Sequence, residues 1–531
     1  MIKTLKKYIN KDMVYALTAI ILMLHPVIEL DYLAYPFLDS FGLPRLTTII
    51  DLIVLPLIVI LTFVLFEKNK TKVFKFTLAY GLVLGIYFVL HCMNAMGIID
   101  KLYLSPNFMF LLSDEITYII KLLLPLIYIW VAYAQGIEEK TLKLIATGLS
   151  AFISIPIFLS NIFVFGYSTY EGNTIDNFLS WFSLPFNDGL NRPRYYASKF
   201  FFDEGNTIGI VLFMVLPLLY YFFYKEKNVK KKIIYLGLIA IQTLSMIILS
   251  TRVATLGSFL IPATMLAIYV VLLIIKQEKF KSWFVAALSI MTIISVMIYP
   301  YSPARQNQMI NAQSYEFQKL AEPQREEGSV IFKEGSQNLE KYSDEWFGFY
   351  TYMFEDYSYL IRVTPPVYYT KYYDYKHDPE FWVDLMFEYE LEERIDGRQI
   401  QKIFTLYKWN QLTPTEKLLG MGYSTFMRGS ILIEKDFTQQ FYTYGPIGFV
   451  LIMVPWLIIT LVLGVKLLLG YKNGHWNYLN IVLMMCVCLG LVSSYLSGHT
   501  LDELSTSLFI GICAGILLHR MSSKQNNNSS I

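Results

Sequence analysis

In the stretch NRPRYYASKFFFDEGNTIGIVLF, Asn191 to Phe213, the charged side chains of Arg192, Arg194, Lys199, Asp203 and Glu204 stand directly against an apolar run. Arg252, in LSTRVATLG, has apolar sequence on both sides. Glu434 and Asp436, in ILIEKDFTQQFYTYGPIGFV, precede another apolar run, and His499, Asp502 and Glu503, in SGHTLDELST, separate two more. A guanidinium keeps its charge and grips phosphate oxygens through a planar, two-point fork. A carboxylate within hydrogen-bond reach of a hydroxyl can serve as a general base. Such residues also solvate loops or snorkel from helix ends, which is the commonplace reading. Arg252 fits that reading least, because a guanidinium at the bilayer centre costs about 2.5–3.5 kcal/mol on insertion scales. It calls for an anion or a water-filled cavity.

The elements that must position these groups follow from composition. Of 531 residues, 55% are hydrophobic and 16% charged, which is typical of a polytopic membrane protein. The net charge of +2 supplies no basic field for nucleic acid. Cys92, Cys486, Cys488 and Cys513 all fall in apolar runs, with neither a disulfide framework nor metal-type spacing. No metal and no other cofactor is expected. Runs of roughly 20 apolar residues can cross a bilayer as helices. About twelve occur, near 13–32, 46–66, 74–97, 115–134, 142–166, 206–224, 233–250, 253–275, 282–300, 444–469, 477–497 and 504–519.

The predicted fold is therefore an all-α polytopic membrane protein with about 12 transmembrane helices. Lysines and arginines concentrate in alternate short loops, which puts both termini in the cytoplasm. Residues 1–300 are expected to carry helices 1–9, with an outer segment at 167–204. Residues 301–443 read as a large extracytoplasmic loop domain with short surface-lying helices. Residues 444–520 carry helices 10–12, and 521–531 a disordered cytoplasmic tail.

With that topology, Arg192, Arg194, Arg252, Glu434, Asp436, His499, Asp502 and Glu503 all come to the outer level of the membrane. Two arginines from different helices there suit a membrane-embedded diphosphate. The natural ligand of this kind is a polyprenyl-diphosphate-linked sugar, with its tail between helices and its glycan projecting outward. Transfer of the glycan breaks the anomeric C–O bond, and negative charge grows on the departing diphosphate, where fixed guanidinium groups stabilise it. Glu434 or Asp436 would accept the proton of the acceptor hydroxyl. Gly420 and Gly422 read first as turn glycines, and second as points of close backbone approach to a sugar or phosphate. His499 reads equally as loop and as site lining. Arg398 belongs to a charged surface helix or reaches over the site. The other histidines, His25 and His91 among them, form no ligand cluster.

The run RYYASKFFFDEGN, Arg194 to Asn206, resembles the R-x-x-(G/A)-x-F-x-x-x-N signature of the O-antigen ligase and polymerase superfamily. STRVATLGSFL, LLGMGYSTF and EKDFTQQFYTYGPIGFVLIM resemble three further elements of that family, in order, over roughly residues 190–515. The resemblance implies a metal-independent, inverting glycosyltransferase that uses an undecaprenyl-diphosphate-linked glycan donor on the outer face of the cytoplasmic membrane. The family's functional arginines carry over to Arg194 and Arg252. Arg192, Lys199, Asn206, Gly420, Gly422, His499 and Arg398 are the expected substrate-binding residues beside them. Ligases of the family place a His in the large loop shortly before the tenth span; this chain has Glu434 and Asp436 there instead. That departure favours a polymerase of capsule, O-antigen or teichuronic-acid-like surface polysaccharide. A ligase acting on lipid, protein or cell wall is the alternative. The expected partners are the lipid-linked donor, a glycan or lipid-linked acceptor, membrane lipid and a chain-length regulator.

Two further readings compete. A lipid-linked oligosaccharide flippase would fit twelve spans, but the chain lacks the internal repeat common in transporters. A transferase of another class would use an acidic motif in the first outer loops, where Glu29, Asp31, Asp114 and Glu115 lie. Those carboxylates also read as helix-end caps.

Overall fold

The structure, a computed structural model, describes residues 10–66, 70–102, 109–169, 197–361, 375–427 and 433–528. These residues are almost wholly helical, with two isolated β-bridges, Ser168–Ser198 and Lys199–Phe201. Among the described residues, twelve helices are long and apolar enough to span a membrane: Lys11–Ser40, Leu46–Leu65, Lys75–Gly97, Leu112–Gln135, Glu139–Phe163, Gly205–Lys225, Val229–Ile248, Arg252–Ile274, Ser282–Tyr301, Asp436–Leu469, Tyr478–Leu496 and Leu504–Ser522. Each matches an apolar run read from the sequence. The last helix continues to Asn528, into the segment expected to be a disordered tail.

The chain divides into two compact units. The first comprises residues 1–77, 119–309 and 455–531. At its centre the sixth span, Gly205–Lys225, is buried along its whole length, which explains why it is apolar all round rather than on one stripe. The fifth, seventh, eighth and eleventh spans pack against it. Gly209 permits a close approach, since a Cβ there would lie 2.8 Å from Thr251 Oγ1 and 3.1 Å from Ala254 Cβ. Thr251 also ends the turn between the seventh and eighth spans. Ser250 takes a φ of 55°, and the Thr251 hydroxyl accepts from the Ala254 amide at 3.4 Å as an N-cap. Cap and packing together fix Arg252 as the first helical residue of the eighth span.

The second unit comprises residues 78–118 and 310–454. Its core is aromatic and sulfur-rich: Trp346, Met353, Phe381, Trp382, Met386, Phe387 and Phe404 are all buried. The helices Pro379–Phe387 and Gly397–Asn410, expected to lie on a surface, instead supply this core. In the first of them Phe381, Trp382, Val383, Leu385, Met386 and Phe387 are all inside. In the second, Ile400, Phe404, Thr405 and Lys408 recur at helical spacing and point inward. Two buried cations are each met by a carbonyl and a carboxylate. Arg394 donates to the Leu360 carbonyl at 2.8 Å and to the Glu322 carboxylate. Lys408 donates to the Leu102 carbonyl at 2.8 Å and to Asp378. Burial pulls the Lys408 ammonium below its usual range, against the opposing pull of Asp378.

The tenth span begins earlier than the apolar run at 444, because a polar helical segment from Asp436 leads into it. The two meet at Gly445, whose φ of 64° interrupts the helix just before Pro446. Into this kink the backbone of Gly420–Gly422 docks. Met421 N donates to the Tyr442 carbonyl at 2.9 Å and Gly422 N to the Thr443 carbonyl at 3.0 Å. Gly420 has a φ of 87°, and a Cβ there would fall 2.3 Å from the Thr443 carbonyl oxygen. The contact requires glycine on both counts.

Candidate functional site

A cleft of about 200 Å³ opens in the first unit. Its walls come from the first, second, fourth, sixth and twelfth spans and the residues just before them. His25, Glu29, Arg45, Asp51, Lys121, Asp203, Glu204 and Glu503 bring the charge, and Leu30, Phe202, Ile208 and Leu504 the apolar surface.

His25 is the hub. Pro26 follows it within the first span, and the ring is buried. His25 Nε2 lies 2.9 Å from Asp51 Oδ1 on the second span. His25 Nδ1 lies 2.8 Å from Ser505 Oγ on the twelfth and 3.2 Å from Glu29 Oε1. The Ser505 hydroxyl also donates to Glu29. Three helices distant in sequence are thus tied together by one imidazole. A second knot lies beside it. Arg45 donates from Nε and Nη2 to Asp31 Oδ1, at 2.9 and 2.7 Å. The Thr47 amide donates to Asp31 Oδ2 at 2.8 Å, and Arg45 Nη2 to the Glu29 carbonyl at 3.1 Å. Asp31 is therefore engaged by protein, as is Glu115 in the second unit, which accepts from the Ser424 amide at 2.7 Å.

Other groups at the cleft are less committed. Lys121, half-buried, stands within Coulombic reach of Glu29, Asp502 and Glu503, but makes no hydrogen bond among the described residues. The Thr207 hydroxyl is buried in the wall and has no partner among them. Burial drives Glu503, on the loop before the twelfth span, up to about 8; the charge of Asp502 adds to the shift, and Lys121 and His499 offset part of it. Asp502 is also raised, chiefly by burial.

Arg192 and Arg194 lie outside the described residues. Lys199 donates from its ammonium to the Asp203 carbonyl at the cleft rim, and Asn206 is the second residue of the sixth span. Arg252 is exposed at the start of the eighth span, does not line the cleft, and has no hydrogen bond or ion pair among the described residues. His499 is half-buried and adopts a φ of 54° beside Gly498.

The remaining residues belong to the second unit. Glu434 accepts from Arg398 Nε at 2.6 Å, so these two, read separately in the sequence, form one ion pair. Asp436 is buried as the first residue of its helix. Gly420 and Gly422 serve the docking described above. Sequence reasoning passed over His25, Asp51 and Lys121. Their signal was present, since an ionisable residue inside a membrane span is a functional candidate by default.

A family model described as O-antigen ligase like membrane protein matches residues 11–524. No curated protein and no solved structure matches the chain.

Proposed function

We propose, for a chain that belongs to the O-antigen ligase like membrane proteins, that it polymerises a surface polysaccharide on the outer face of the cytoplasmic membrane. The donor is an undecaprenyl-diphosphate-linked glycan and the acceptor a sugar hydroxyl. The acceptor oxygen attacks the anomeric carbon from the face opposite the leaving group and inverts it. The C–O bond to the diphosphate breaks, its electron pair leaves with the diphosphate, and the acceptor's proton passes to a carboxylate.

The observation that carries this reading is Arg252. Its guanidinium is exposed at the first turn of an otherwise apolar span and is unpaired among the described residues. A cation at such a place, unclaimed by protein, is free to hold a lipid diphosphate and to stabilise the charge that grows on it. Arg194 is assigned as its partner on the strength of the sequence motif, with Arg192, Lys199 and Asn206 alongside. Glu434 and Asp436 are the assigned base candidates. Glu434 shares its charge with Arg398, and Asp436 is buried at the start of its helix. The chain has no histidine between His377 and His475, which favours polymerisation over ligation to a lipid core.

The test is transfer by the purified full-length chain with a lipid-diphosphate glycan. Arg252→Ala and Arg194→Ala should each abolish polymer while inserting normally, and Arg252→Lys should recover little. Asp436→Asn and Glu434→Gln separate base from bystander. Activity should persist in a chelator. Polymer of ordinary length from Arg252→Ala would overturn the assignment.

A further inference from the structure

The charge of the cleft says what can occupy it. Five carboxyl groups line it, Glu29, Asp51, Asp203, Glu204 and Glu503, of which Glu503 is held in its protonated form, against Arg45, Lys121 and His25. Arg45 is already held by Asp31, and His25 stands between Asp51 and Glu29. A diphosphate placed here would meet more like charge than opposite charge. Like charges brought together in a partly buried setting repel one another strongly. The leaving group of the proposed reaction therefore does not belong in this space.

What the cleft does offer is hydrogen bonding beside an apolar patch. Thr207 is 2% exposed and lines the cleft, and its hydroxyl lacks a partner among the described residues. A buried hydroxyl left without a partner forfeits a hydrogen bond, and a ligand hydroxyl would restore it. Lys121 adds donors, and Asp203 and Glu204, both exposed at the rim, add acceptors. Phe202, Leu30 and Ile208 supply surface for the apolar face of a ring. The volume of about 200 Å³ leaves room for a six-membered sugar ring.

We infer that this cleft is a subsite for a single sugar ring that carries free hydroxyls and no acidic group, the terminal ring of the acceptor glycan. The ring's role as acceptor rests on the transferase reading above; its chemistry rests on the cleft alone. Glu29, Asp203 and Glu204 accept from its hydroxyls, Thr207 and Lys121 donate to them, and the acidic surplus turns away uronic acids and phosphates.

The experiment is saturation-transfer NMR on the purified full-length chain. The probes are galactose, N-acetylglucosamine, glucuronate and inorganic pyrophosphate. At least one neutral ring should bind saturably, and neither anion should displace it. Thr207→Val should weaken that Kd at least fivefold without lowering Tm, and Lys121→Met should do the same through a second wall. Arg252→Ala should bind the ring as the wild type does while losing transfer. Displacement of the ring by pyrophosphate or glucuronate would overturn the inference. So would the absence of saturable binding by either neutral ring, or unchanged affinity in both Thr207→Val and Lys121→Met. If Arg252→Ala keeps transfer while Thr207→Val loses sugar binding, the diphosphate assignment fails and the subsite stands. The reverse pattern fails the subsite alone.

Discussion

The second unit answers its buried cations with protein, whereas the first also carries polar groups left uncommitted. In the second unit, Arg394 and Lys408 are as deep as any side chain in the core, and each is met by a carbonyl and a carboxylate. These bonds tie segments distant in sequence. In the first unit, Lys121 and Thr207 face a cleft with no hydrogen-bond partner among the described residues, and Arg252 is exposed at a helix start with none. Charge answered by protein holds a fold together, whereas charge aimed at space is held ready for something else. Deleting the first kind should cost stability, and deleting the second kind should cost function.

The largest effect should come from Arg252. If it stabilises the departing diphosphate, Arg252→Ala should lower transfer by about 10²–10³-fold, the usual cost of removing one such donor. Thermal unfolding should be unchanged, because no protein contact is lost. A fall in Tm that accompanies the lost transfer would place Arg252 with Arg394, as architecture. The mirror experiment is Asp378→Asn, which leaves the Lys408 ammonium buried beside a neutral amide. Breaking a buried pair in this way costs about 3–5 kcal/mol. Limited proteolysis within 310–427 should show the second unit loosened, while sugar binding in the cleft of the first persists.

How much of this could be read from the chain depended on the distance over which each signal acts. The twelve spans were legible because an apolar run of bilayer length is a local property. The start of the tenth was not, because the polar turn at Asp436 joins it only through a kink at Gly445 that the docked Gly420 loop supports. Arg252 was legible as a charge between two apolar runs. The cleft was not. His25 meets Asp51 across 26 residues and Ser505 across 480, and no periodicity encodes such a meeting. For the same reason Glu434 was read as a free carboxylate, although Arg398 engages it from 36 residues away. The helices between 379 and 410 were read as surface elements because charge is interleaved with their apolar residues. Helical spacing sorts the two onto opposite faces, and packing then hides one of them.

A finer division between the units comes from Thr207. The methyl of Val fills the place of the hydroxyl without its need for a partner. Thr207→Val should therefore hold or raise stability, by up to about 1 kcal/mol, while the KM for acceptor rises about five- to tenfold, roughly 1–1.4 kcal/mol of binding. A stability gain paired with a binding loss marks a residue kept for function. Thr405, buried in the second unit with its hydroxyl donating to the Gln401 carbonyl at 2.8 Å, is the control. Thr405→Val should lose about 1 kcal/mol of stability, with the acceptor KM unmoved.

The smallest expected effect is a difference in how the units respond to pH. Glu503 is held up at about 8 in the folded chain, against an ordinary 4.5, chiefly by burial and then by the charge of Asp502. A raised carboxylate means that the fold favours the protonated form. The stability this lends is fully present below pH 4.5, declines as the unfolded chain ionises above it, and is lost as pH rises through about 8. Glu503→Gln is neutral throughout, so its unfolding temperature should match the wild type near pH 4.5 and exceed it increasingly toward pH 8.5. In the second unit, Lys408→Met with Asp378→Asn removes a buried ion pair and leaves Glu503 in place, so the tilt assigned to Glu503 should survive in this double variant. Protonated at neutral pH, Glu503 would present a hydrogen-bond donor to the cleft, so sugar binding in the wild type should weaken above pH 8 and that of Glu503→Gln should not. Parallel pH profiles for wild type and Glu503→Gln, in both unfolding and binding, would remove Glu503 from the cleft's working groups and leave it among the charges that only hold the fold.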